Sequence, residues 1–503
     1  MWPLAALTVG VTILAAVGVL PTWPGLVHLV ALPPLDLFTD LRILVVQAPS
    51  WPEAVALLAA AVTLRIVLVA YLLGGLSRAN LGFVARLYAL FAVPMLVAAI
   101  SMSVAATLPN APFFWFGFGV LAVVTVLGIG LPWQGTARLR SAIVSSVRTG
   151  LRLEVVALYL AAVIAIGVVA HLVPEMTLFL VPVSALATAL ALRGFAREPV
   201  RRPGLLVLGA VAVVAVGALV MWSIRTADIE AQEPPSQDGS MMLMGGITTA
   251  SGEGMILEIE PDDLGYTCEQ MYYFSYAGPG EGQPQRNAPC PIVTGAVYEE
   301  EDTQRPLNEQ IDFFAEQTED LPRPLVVAGH SHAVWVAWEA MARGLADVDV
   351  LILVGPLPDS PVGYPPPGEN GAGRVLGDVI RLGATVPMTE YDPDLPGSQD
   401  LQGVPNRSRD ILAEPLPDGV RVLSVMTAMD LPLMSEGWEL DVERNACPLP
   451  VDHSDMPVTN EFTEEVIRFL DGQPRPECPV WRGWGSMLVL PFGSAPAPAG
   501  EEH

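Results

Sequence analysis

Seven long apolar runs dominate the first 222 residues and leave few folds open to them. They lie at roughly 4–21, 54–75, 82–106, 112–131, 154–173, 176–192 and 204–222. Each approaches the ~20 residues with which a helix crosses about 30 Å of hydrocarbon. Lipid offers no partner to a bare N–H or C=O, so such runs close their hydrogen bonds internally, as helices. The expected N-terminal domain, residues 1–222, is an all-α polytopic membrane bundle of about seven spans.

Arginine placement orients that bundle, because Arg in short loops marks the cytoplasmic side. Arg78 and Arg86 flank the loop between the second and third runs. Arg138, Arg140, Arg148 and Arg152 fall between the fourth and fifth, and Arg193, Arg197, Arg201 and Arg202 between the sixth and seventh. The intervening loops carry Asp36, Asp40 and Glu53 against Arg42, then no charge, then Glu175. This alternation predicts a cytoplasmic N-terminus and an extracellular domain after Trp222. Segment 22–53, with Trp23 and Trp51 near its ends, is expected along the outer membrane surface with its aromatics at head-group level. Arg65, inside the second run, needs a partner or a water defect at that depth.

The rest of the chain is of another kind. Residues 1–222 hold six acidic residues against twelve Arg, whereas 223–503 hold 47 against fourteen, and Lys is absent throughout. A domain this acidic is repelled by nucleic acid and by anionic head groups. All four cysteines, Cys268, Cys290, Cys447 and Cys478, fall in this half. An even number in a domain placed outside reads as two disulfides rather than four buried thiols. Of the three possible pairings the sequence-local one, Cys268–Cys290 with Cys447–Cys478, is preferred. No C-x-x-C spacing or other motif implies a metal or an organic cofactor. The expected division is a Pro/Gln/Ser-containing linker at 223–239, an α/β domain at 240–472, and a disulfide-tethered tail at 473–503 whose end is disordered.

Within 240–472, strand-like and helix-like stretches alternate, which predicts a mostly parallel sheet with helices on both faces. The stretches 241–247, 271–277, 348–354 and 420–426 read as strands; 306–318 and 458–470 read as helices. A long Pro/Gly-rich excursion, 356–415, is either a lid or a surface loop. The most chemical stretch is Leu325-Val-Val-Ala-Gly-His-Ser-His-Ala333, an apolar strand that ends on a serine and leads directly into Val334-Trp-Val-Ala-Trp-Glu. Strand, serine turn and helix form a nucleophile elbow when the residues two before and two after the serine are small. Gly329 and Ala333 meet that condition.

A serine hydroxyl needs an adjacent base. His330 and His332 flank Ser331 on the turn, where their rings diverge from its hydroxyl, and His503 ends the tail, so His453 is the candidate base. Asp430, in the loop after strand 420–426, is the candidate acid that holds the base's tautomer. Asp359, Asp452 and Asp455 are its rivals. Oxyanion donors are expected at the His332 N–H and in the loop after strand 241–247, at Gly246, Ile247 or Thr248.

In the elbow, in Phe274-Ser-Tyr-Ala-Gly, in Leu416-Pro-Asp-Gly-Val-Arg-Val-Leu-Ser and in His453-Ser before the last helix, the chain resembles the α/β-hydrolases. The likeness is to their lipase-like, membrane-associated members and covers roughly 240–472. His332 and Ala333 stand where Gln or Met and Gly are commoner in that family; His332 is expected to bear on the pKa of His453 or on the site's entrance. The resemblance implies an α/β-hydrolase fold and hydrolysis of a carboxylic ester, of which a lipid or cell-envelope ester is one kind; the apolar runs add the bilayer as a partner and the acidity excludes nucleic acid. The same triad serves transfer to an alcohol. The competing expectation is a transporter or sensor whose outer domain binds without reacting, since seven spans exceed what an anchor requires.

Overall fold

The computed structural model describes residues 2–108, 110–135, 138–149, 152–196, 234–357, 362–385, 391–434, 439–478 and 489–496. The N-terminal part is helical: α1 (Trp2–Ala16), α2 (Leu35–Gln47), α3 (Trp51–Leu72), α4 (Arg78–Thr107), α5 (Ala111–Gly128), α6 (Leu139–Thr149), α7 (Leu153–Leu172) and α8 (Thr177–Ala196). Five stretches are long and apolar enough to cross a membrane: Trp51–Leu72, Arg78–Thr107, Ala111–Trp133, Leu153–Leu172 and Pro174–Ala196. They match the second to sixth runs. The first run forms a 15-residue helix, shorter than a full span, and the expected span 204–222 lies outside the described residues.

Segment 22–53 does not lie on the surface. Its turn Pro24–Val30 and α2 are buried among α4, α7 and α8. Trp23 is buried with them, and only Trp51 keeps an exposed ring. The reason is charge. Arg65 on α3 bonds Asp40 (Nη2 to Oδ1, 2.9 Å) and Asp36 (Nη1 to Oδ2, 3.3 Å), and Tyr88 donates to Asp36 at 2.6 Å. A guanidinium at this depth draws its counter-charges inward, because an unpaired charge there is costly. The non-helical backbone is satisfied by side chains of α7 and α8: Ser184 donates to the Val27 carbonyl (2.7 Å), Thr188 to that of Val30 (2.9 Å), and the Tyr159 oxygen accepts from the Leu32 N–H (2.9 Å).

The C-terminal part is built on six parallel strands: β1 (Ser240–Met244), β2 (Met271–Tyr273), β3 (Leu325–His330), β4 (Val350–Val354), β5 (Arg421–Val425) and β6 (Arg444–Asn445). Their order is β2-β1-β3-β4-β5-β6. Alternate side chains feed two cores, as a pleat of period two requires. Met242, Met244, Val327, Leu351 and Leu353 pack with α9 (Leu307–Thr318) and α10 (Ala333–Ala342). Met241, Leu243, Val326, Ala328, Ile352 and Val425 face the other way, onto α12 (Asn460–Leu470). Helices therefore cover both faces, as expected.

The sequence expectation was incomplete at three places. The two-residue β6 carried no strand pattern. Excursion 356–415 contains α11 (Arg374–Ala384), whose apolar side (Val375, Leu376, Ile380) packs with Val45, Val46 and Ala106 of the bundle. And the tail is not loose at 489–496: Val489, Phe492 and Ala495 are buried. Both disulfides take the preferred pairing, Cys268–Cys290 and Cys447–Cys478.

Candidate active site

Strand order locates the site. From β1 the chain first adds β2 on one side, then returns to add β3 on the other. Loops leaving the carboxyl ends of β1 and β3 diverge at such a switch point and open the crevice where parallel sheets bind ligands. Ser331 follows the last residue of β3, and Gly246 lies just beyond β1. The two meet: a Cβ on Gly246 would stand 3.3 Å from the Cβ of Ser331.

The turn at Ser331 is strained. Its φ of +54° is left-handed, a region that disfavours a side chain by about 1–2 kcal/mol. Its N–H donates to the Val354 carbonyl of β4 (2.8 Å), which extends the sheet ladder through the turn. A Cβ on Gly329 would come within 3.3 Å of the Ala333 and Val334 backbone, so the helix can approach only because residue 329 has none. The same crowding explains why 333 is small.

His453 and Asp430 come together from different loops. Nδ1 of His453 lies 2.6 Å from Oδ2 of Asp430, and the carboxylate is fully buried. The two loops are zipped by backbone bonds, Leu449 N–H to the Met426 carbonyl and Ala428 N–H to the Leu449 carbonyl, both 2.8 Å. Burial disfavours a charged imidazole, but Asp430, by charge and by hydrogen bond, outweighs it and raises the pKa of His453. With Asp430 holding the proton on Nδ1, Nε2 is the basic atom. Nε2 is buried and makes no hydrogen bond among the described residues. Of the rival acids, Asp452 bonds only the His453 backbone N–H (2.8 Å), and Asp359 lies outside the described residues.

The flanking histidines have separate tasks. His330 turns toward His453: the rings are 4.9 Å apart, and its Nε2 donates to the His453 carbonyl at 3.1 Å. Burial and the neighbouring His453 lower its pKa to about 3, so it is neutral. His332 turns away. Its Nε2 donates to Gln310 Oε1 (2.7 Å) on α9, and burial lowers its pKa to about 4. Its ring bonds the helix layer, which corrects the expectation that it bears on His453 or the entrance.

Of the expected oxyanion donors, His332 is the residue after Ser331, and Gly246 and Ile247 lie in the loop beside it. Thr248 is a correction. Its N–H donates to the Thr303 hydroxyl at 2.9 Å, and the residue sits at a left-handed φ of +59°. Tyr276, in the Phe-Ser-Tyr-Ala-Gly stretch, braces this loop by donating to the Gly245 carbonyl at 2.6 Å.

One residue escaped the sequence entirely. Gly355, directly after β4, has φ +64°, and a Cβ there would stand 2.6 Å from Cε1 of His453. The imidazole lies over the bare glycine. A glycine at a strand's carboxyl end was the available signal, but this chain has many glycines.

No family model, no curated protein and no solved structure matches this chain in comparisons with known proteins. The functional reading rests on the geometry.

Proposed function

We propose that the protein is a membrane-anchored serine hydrolase of the α/β-hydrolase fold that cleaves a carboxylic ester at the outer face of the cell membrane. The carrying observation is the buried Asp430–His453 pair (2.6 Å) with a free Nε2, seated over Gly355, the residue after the Val354 carbonyl that accepts the N–H of Ser331 on its left-handed turn. In this reading Ser331 attacks the acyl carbonyl and His453 Nε2 takes its proton. Asp430 stabilises the resulting imidazolium. The oxyanion is held by backbone N–H groups of His332 and of the Gly246–Ile247 loop. His453 then returns the proton to the leaving alkoxide, and water resolves the acyl-enzyme by the same relay. The two disulfides agree with an oxidising, extracellular setting, and the apolar helices with a substrate drawn from lipid or the cell envelope.

The test is fluorophosphonate labelling of the full-length protein in detergent, with Ser331→Ala and His453→Ala alongside. Labelling that vanishes in both variants supports the reading; an unlabelled, folded wild type refutes it. One observation favours a second reading, a transporter or sensor with a binding domain. An apolar cleft of about 880 Å³ between α1, α2 and α3 is lined by Asp40, Glu53 and Arg65 as well. Ligand binding that survives Ser331→Ala, together with no labelling, would select it.

A further inference from the structure

A single span would anchor a hydrolase, yet this bundle does more than anchor. It reaches the loop that carries Asp430 at two points. The indole N–H of Trp115, in the first turns of α5, donates to the carbonyl of Met429 at 3.2 Å, one residue before the acid. In addition, the turn Leu490–Gly493 packs against Leu431–Leu433 so closely that a Cβ on Gly493 would stand 1.6 Å from the Pro432 carbonyl oxygen.

That turn is itself clamped into the bundle. Arg42 of α2 donates to the carbonyls of Phe492 and, at 2.8 Å, Gly493. The Phe492 ring stacks on His28 at 5.0 Å, and His171 Nδ1 lies 3.1 Å from the Ser494 hydroxyl. Gly167 of α7 leaves room for Pro491, whose Cβ would meet a Cβ there at 2.6 Å. The strap also adjoins α5, where the Phe492 ring lies 5.8 Å from that of Phe118, so residues 429–433 contact both α5 and a strap held by α2 and α7.

We propose that the membrane bundle is a working part of the active site, with Trp115 as a positioning residue that holds the acid loop so that Asp430 stays on His453. The proposal rests on the hydrolase reading above. Asp430 is reached only through backbone, since Trp115 touches the Met429 carbonyl and no reacting atom. Its effect must then run through the Asp430–His453 geometry, and a misplacement of about 1 Å costs on the order of 100-fold in rate.

The test uses the full chain in detergent and measures the fluorophosphonate inactivation rate against pH. Trp115→Phe keeps the ring and removes the donor. Gly493→Ala pushes the loop at Pro432 and keeps the proposal testable should Trp115→Phe fold poorly. Trp51→Phe is the control: it removes a comparable indole bond between the domains, to Asp378 at 2.8 Å, that touches α11 and not the acid loop. The expected result is a rate about ten-fold lower for Trp115→Phe and Gly493→Ala, with Trp51→Phe as wild type. The groups facing the base are Asp430, Asp452 and His330. Loosening Asp430 lowers the base's affinity for its proton, so the acidic limb of the profile should also move to lower pH in the two loop variants. A wild-type rate and limb in both loop variants would overturn the proposal. So would an equal loss in all three variants, which would make the bundle a docking surface only. An unlabelled wild type would remove the hydrolase reading, and this proposal with it.

Discussion

Gly355→Ala is the sharpest test of how the base is seated. The added Cβ would stand 2.6 Å from Cε1 and 3.0 Å from Nδ1 of His453, and the residue has φ +64°. Carbon atoms sit comfortably at about 3.5–4.0 Å, so the ring must retreat by about 1 Å. It cannot retreat and keep a 2.6 Å bond to a fully buried Asp430. Two costs result: about 1–2 kcal/mol of left-handed strain, and on the order of a 100-fold fall in rate from the displaced base. Gly344→Ala separates them. Gly344 has φ +70° and no atom within 4 Å of the added carbon, so it has the strain without the collision. The assay is the fluorophosphonate inactivation rate together with the thermal midpoint. Both variants should melt lower, and only Gly355→Ala should react slowly. A Gly355→Ala rate within about three-fold of wild type would refute the seating argument, since the predicted effect is near 100-fold.

Other perturbations test the surroundings. His330 and His332 hold pKa values of about 3 and 4 in the fold against 6.5 in an unfolded chain, so the unfolded state binds their protons first as pH falls. Stability should drop below pH 6.5 by about 1.4 kcal/mol per pH unit for each. In His332→Gln the slope of unfolding free energy between that pH and the folded pKa should flatten by one such step. His453 has the opposite sign: with its folded pKa raised, its pairing with Asp430 stabilises fully below the unfolded pKa and fades as pH rises through the folded value. Asp430→Asn should therefore lose that low-pH stabilisation and move the acidic limb of reactivity to lower pH. Removing the Cys447–Cys478 bridge, which closes a 31-residue separation around His453 and α12, should lower stability by about 3–4 kcal/mol in a denaturant titration under non-reducing conditions. Arg65→Leu leaves Asp36 and Asp40 unpaired inside the bundle and should cost about 3–5 kcal/mol, seen as a collapse of folded yield; wild-type yield would contradict the pairing argument.

The His453–Asp430 pair and the left-handed turn at Ser331 were legible because the signals for each are local. The serine turn needs small neighbours at fixed offsets, and the acid and base sit in loops after recognisable strands. The same holds for β1, β3, β4 and β5, whose apolar runs are buried on both faces and stand out against the polar loops. Legibility failed where the deciding partner is remote. Segment 22–53 has the aromatics of a surface element, but Arg65, in the next helix, draws it inward through Asp36 and Asp40. Thr248 looked like a free donor until Thr303, from a stretch with no regular pattern, took its N–H. β6 is two residues long, below what any alternation can reveal.

The strongest case of remoteness changes which experiments are sound. Trp115 and Met429 are separated by 314 residues, and Arg42 and Gly493 by 451, yet both pairs bear on one loop. A chain cut at the linker keeps every residue of the expected triad. It also keeps β1 to β6, both disulfides and the helices on both faces of the sheet. It loses the Trp115 donor to the acid loop. It frees the strap as well, since Arg42, His28 and His171 go with the bundle. Exposed apolar surface follows, because Leu431, Leu433, Met434 and Phe492 share one core with α4 and α5. An unreactive isolated domain would thus be the expected result of the positioning argument and no evidence against the triad. Only the whole chain can distinguish a site that was never catalytic from one whose acid has lost its supports.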